Sequence, residues 1–136
     1  MAKSVSRWVR VKPLTPDEKA QIGARLDAFI AETLVPRFLP KIRPTEWNYP
    51  IDLHGKWRGS KYSFIIRYRS SWPDNLGEEF DSPWLRFDHD DEHFAEPRFY
   101  IFWMRHTGKW WPLHYSVPLE VALHLIEIDG ILQPHT

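Results

Sequence analysis

Between Tyr62 and Arg69 the side chains alternate: Tyr62, Phe64, Ile66 and Tyr68 share one parity, Ile65, Arg67 and Arg69 the other. A two-residue period is that of a β-strand with one face turned to a core. A lone strand leaves its backbone groups unpaired, so this run demands neighbours. Four further segments qualify: Ile51–Trp57, Pro83–Asp88, Arg98–Met104 and Trp110–Tyr115. The last two are joined by Arg105-His106-Thr107-Gly108-Lys109, a hairpin turn with glycine at a positive-φ position. Arg58-Gly59-Ser60 is a second turn, and Pro73–Gly77 a loop. Strands joined by short connections pair antiparallel.

Two helices bracket these strands. Thr15-Pro16-Asp17-Glu18 is a helix start, with a capping threonine, proline at the first helical position and glutamate closing a capping box. Ile22, Leu26, Phe29 and Ile30 follow as one apolar stripe, and Pro36 is expected to stop the helix near Leu34 or Val35. Val35–Pro50 then reads as an extended connector packed by Phe38, Leu39, Ile42 and Trp47. Pro118 opens the last helix, with Leu119, Ala122, Leu123 and Ile126 as its buried stripe and Gly130 as its C-cap. The fold class is α+β: an antiparallel twisted sheet of about five strands, with an N-terminal and a C-terminal helix packed on one face. Its core is predicted to hold Ile22, Leu26, Phe29, Phe64, Ile66, Ile101, Trp103, Leu123 and Ile126.

The 136 residues favour one domain at 15–132, preceded by a basic arm or edge strand at 1–14 and followed by a tail at 133–136. Aromatic residues reach 15%, with eight Trp, which argues against disorder. The absence of Cys excludes disulfides, thiol catalysis and cysteine-ligated zinc. No leader-like apolar run stands at the start, and no window approaches the roughly 18 apolar residues of a membrane helix. A cytoplasmic protein without membrane attachment is the expectation.

The net charge is zero, but the charges are segregated. Val35–Arg69 holds eight basic and two acidic residues, a net of +6; Asp74–Glu96 holds nine acidic residues and Arg86, a net of −8. Within one chain such blocks neutralise each other across adjacent strands. Between chains they favour a homodimer, whose approach no long-range repulsion opposes.

No stretch forms a diagnostic catalytic or cofactor motif. Asp88-His89-Asp90-Asp91-Glu92-His93 mixes carboxylates with imidazoles, and a divalent ion there would be held by Asp88, His89, Asp91 and His93. Its spacing matches neither a calcium loop nor a paired-histidine helix, so a solvated acidic turn is favoured, with no metal and no cofactor. The seven histidines are scattered and no glycine-rich phosphate loop is present. Trp57, Arg67, Arg69, Trp72, Trp110 and Trp111 are the candidate binding surface, because rings beside cations serve both protein interfaces and nucleic-acid stacking.

Arg43-Pro44, Tyr68-Arg69 with Trp72, Trp103 with Arg105, Lys109-Trp110 with Tyr115, and the helix ending Ile126-Glu127-Ile128-Asp129-Gly130 form a spaced pattern over about Glu18 to Leu132. This pattern resembles the small bacterial domain-of-unknown-function family numbered 3024. The resemblance implies one intact domain and transfers no catalytic residue. The sequence reading is a non-catalytic binding or protein-interaction module, with a nucleic-acid-binding domain as the alternative and an enzyme of unrecognised type as a further one.

Overall fold

The computed structural model describes residues 10–136. The predicted arm lies largely outside them; its described end, residues 10–14, is neither helix nor strand. Helix α1 runs Pro16–Phe29 and starts as its sequence dictates. Thr15 Oγ1 accepts from the Glu18 amide at 3.1 Å while the Thr15 amide donates to the Glu18 carboxylate at 3.0 Å.

Pro36 does not stop this helix. The chain widens into a π-helical turn at Ile30–Leu34, where the Val35 amide bonds to the Ile30 carbonyl, and resumes as α2, Val35–Phe38. Proline cannot donate and crowds the preceding turn of an α-helix, and a wider turn relieves that crowding. The bulge also keeps Ile30 and Leu34 buried with Ile22, Leu26 and Phe29.

The sheet is a meander in the order β1-β2-β3-β4-β5, all antiparallel: β1 Tyr49–Arg58, β2 Lys61–Arg69, β3 Glu79–His89, β4 Arg98–Met104, β5 Trp110–Pro118. The predicted strands are recovered, with β1, β3 and β5 longer than their sequence patterns. Gly108 has φ +79° in the β4–β5 turn, a conformation open to glycine without strain. Helix α3, Leu119–Ile128, follows β5 directly. Gly130 is not its cap; Asp129 ends the helix and its carboxylate accepts from the Ile131 amide at 3.0 Å.

Both helices cover one face of the sheet. Their buried residues cluster with Leu53, Tyr62, Phe64, Ile66, Leu85, Phe87, Phe99 and Ile101. The predicted core holds except at Trp103, which is half-buried near the end of β4. Trp84 takes a place not foreseen for it. Phe64 pairs with Leu85 and Ile65 with Pro83, so Trp84 is an extra residue in β3. This β-bulge turns Trp84 to the same side as Leu85, where it is buried and its indole N–H donates to the Leu132 carbonyl at 2.9 Å. In the connector Phe38 and Leu39 pack on the core, whereas Ile42 and Trp47 are exposed.

Candidate functional site

Among the described residues helices lie on one side only, so the other side of the sheet is open, and its chemistry follows from strand parity. Lys56 and Arg58 from β1, Lys61, Ser63 and Ile65 from β2, Asp81, Pro83 and Arg86 from β3, and Trp110 from β5 line one cleft of about 410 Å³. Ile65 and Pro83 form an apolar floor and the cations its rim. The Arg86 guanidinium lies 4.8 Å from the Phe102 ring centre and 4.7 Å from that of Trp110. The same guanidinium donates to both oxygens of Asp88, at 2.7 and 3.0 Å. Its position is thus fixed by two rings and a bidentate carboxylate. Lys61 Nζ is 4.0 Å from Asp88. Among the described residues Lys56 and Arg58 have no carboxylate partner within ion-pair distance.

The rest of this face consumes its charge internally. Arg67 Nε donates to Asp81 at 3.0 Å and Arg69 Nη2 to Glu79 at 2.9 Å, both across β2–β3. The bond from Arg67 holds the Asp81 carboxyl below its ordinary value, against the opposing effect of burial and with help from His54. His54 sits between Asp52 and Asp81, each 3.5 Å away, and its Nδ1 is buried without a hydrogen-bond partner among the described residues. The +6 and −8 blocks therefore meet within one chain at three pairs, Lys61–Asp88, Arg67–Asp81 and Arg69–Glu79.

Of the candidate binding residues, Arg67, Arg69 and Trp110 share the open face. The others do not join them. Trp57 is on the helix side, edge-on to Tyr62 at 5.3 Å and capped by Lys19 at 5.4 Å. Register sets Trp111 opposite Trp103, also on the helix side, where Arg105 covers its ring at 4.9 Å. Trp72 lies in the loop after β2 and packs on Trp47 with ring centres 4.9 Å apart. Of the cleft lining only Trp110 is among those candidates; the other lining residues, and Phe102 against Arg86, were not singled out from sequence. Their signal was parity, since each shares a face with Arg67 or Trp110.

The acidic segment does not converge. Asp88 belongs to Arg86 and Lys61 on the open face. His89 packs edge-on to Phe99 with its Nδ1 2.6 Å from Asp91, and His93 Nδ1 is 3.0 Å from the Glu96 carbonyl. Among the described residues no three His, Asp or Glu side chains come together as metal ligands would. Asp90 is instead a structural bracket. It accepts from the Glu92 amide at 3.0 Å and from Ser116 Oγ at 2.6 Å, and Ser116 holds a left-handed φ of +52°. Burial pushes the Asp90 carboxyl upward, but bonds from Ser116, the Glu92 amide and Tyr100 outweigh it and hold the group below its ordinary value.

The family model for DUF3024, a domain of unknown function, matches residues 13–134. The chain belongs to this family. No curated protein and no solved structure matches it. In this DUF3024 member one histidine borders the open-face cleft: His54 pairs with the floor residue Ile65 and lies 3.5 Å from Asp81. The small cleft that gathers Lys12, Glu18, His89, His93 and Glu96 holds about 10 Å³, room for about one water molecule. Among the described residues no helix is long and apolar enough to cross a membrane.

Proposed function

We propose that this DUF3024 domain is a non-catalytic binding module whose open sheet face takes an acidic protein segment. The observation that carries the reading is the cleft itself. It combines an apolar floor, a ring-clamped Arg86 and the cations Lys56, Arg58 and Lys61 on a sheet face that no helix of the described residues covers. An extended acidic segment with spaced apolar side chains complements all three features. Cationic rims steer such partners and fix their register.

A second reading, single-stranded nucleic acid, is supported by one observation: Trp110 and Phe102 stand beside cations on this open face. Rings with neighbouring basic groups are what single strands stack upon. The two readings separate by anisotropy with a labelled glutamate-rich peptide and a labelled oligothymidine at low salt. The expected result is peptide binding that falls at least about tenfold in the Lys56→Glu/Lys61→Glu variant. Tighter binding of the oligonucleotide, with the same loss, selects the second reading. No binding of either probe refutes both.

A further inference from the structure

The sheet has two edges, and they differ. Along β5, Pro112 and Pro118 interrupt the donors, two register irregularities break its pairing with β4, and Ser116 adopts a left-handed turn. Such devices prevent edge-to-edge pairing. Strand β1 has ten residues and an unbroken register from Asp52 to Arg58 against β2. The two-residue Gly59-Ser60 turn makes Arg58 and Lys61 a hydrogen-bonded pair, so Asp52, His54, Lys56 and Arg58 bond inward. The N–H and C=O groups of Leu53, Gly55 and Trp57 then point outward, and among the described residues no strand pairs with them. Clefts of about 510 and 350 Å³ run beside this edge on the helix side, both lined by Asp27 and Gly55.

We infer that β1 is the docking edge for a second copy of this chain, in a twofold antiparallel pair centred on Gly55. That register is self-complementary. On the axis the two glycines face each other, where the backbones approach with no side chain between them. Leu53 lies opposite Trp57 of the second copy on the helix side. Asp52 lies opposite Arg58 of the second copy on the open side, and this pair occurs twice by symmetry. The remaining cross-axis pair is His54 with Lys56. The inward-bonded residues keep their partners in β2, so the pairing adds a ladder without breaking one. Arg67 and Arg69 already pair with Asp81 and Glu79 across β2–β3, and the association rests on this edge. Two clefts with their cations then lie on one face of a continuous ten-stranded sheet.

The test is sedimentation of the full chain from micromolar to millimolar concentration, together with amide hydrogen exchange. The expected result is a monomer–dimer equilibrium in which the Leu53, Gly55 and Trp57 amides gain protection as concentration rises. Asp52→Arg should weaken dimerisation about tenfold, since it turns two attractive contacts repulsive, and Asp52→Arg/Arg58→Asp should restore it. Asp52 and Arg58 are exposed, and circular dichroism of both variants checks that the fold is kept. A monomer at every concentration overturns the inference. So does a dimer whose protection maps to β5 or to the helices, or one that the charge swap fails to restore.

Discussion

Gly55→Ala is a one-methyl change in a strand, and substitution of glycine by alanine ordinarily stabilises by about 0.4–1 kcal/mol where the backbone permits it. Gly55 has no positive φ, so the backbone raises no objection. The packing does. A Cβ there would stand 1.7 Å from the Tyr62 hydroxyl, 2.0 Å from Cζ and 2.4 Å from Cε1, so the ring must leave. Tyr62 is only 1% exposed, touches Trp57 and Phe64 edge-on, and donates a short hydrogen bond to Asp27. Displacing such a ring forfeits what truncating a buried aromatic forfeits, about 3–5 kcal/mol. The clash exceeds the entropy gain several-fold, and a two-state urea melt should show a net loss of at least about 2 kcal/mol. Adding Tyr62→Leu, which withdraws the ring, should make the double variant less costly than the sum of the singles. Gly130→Ala is the control: nothing lies within 4 Å of its added Cβ, so the change should be neutral or stabilising. A Gly55→Ala loss under about 1 kcal/mol would mean that Tyr62 does not hold the space beside Gly55.

Phe29→Ala should cost about 3–5 kcal/mol in the same melt and Trp103→Ala less, because Trp103 is half-exposed where Phe29 is buried. Acid should destabilise the fold. The Asp90 and Asp81 carboxyls, and that of Glu120 in α3, which accepts from Arg25 at 2.8 Å, lie below their ordinary values of 3.8, 3.8 and 4.5, so their contribution is complete above those values and is lost as pH falls through the folded ones. Thermal melts should therefore fall steadily below about pH 4, and Asp90→Asn should reduce that slope. Addition of a chelator should leave the melting temperature unchanged; a drop of several degrees, restored by one divalent ion, would return Asp88, His89, Asp91 and His93 to consideration.

The fold was legible because its signals are local. The capping box at Thr15–Glu18 and the alternation from Tyr62 to Arg69 each specify an element without knowledge of the rest. Three features were not. Pro36 signals a helix end unless the preceding turn widens, and that depends on Ile30 and Leu34 finding the sheet. Trp84 reads as outward-facing by parity until the bulge adds a residue. Trp57, Trp72 and Trp111 form one list with Trp110 in sequence, but register and loop geometry send them to different sides. The cleft escaped for the same reason: Arg86 is an isolated basic residue in an acidic block, and only the β3–β4–β5 register puts it between Phe102 and Trp110.

The most direct measurement of the proposed role is an NMR titration of the isotope-labelled chain with polyglutamate at low salt. Binding in the cleft should give saturable shifts at Lys56, Arg58, Lys61, Ser63 and Arg86 and at the Trp110 indole, and shifts that fade as salt screens the rim. Shifts confined to the helix side, or none at all, would contradict it.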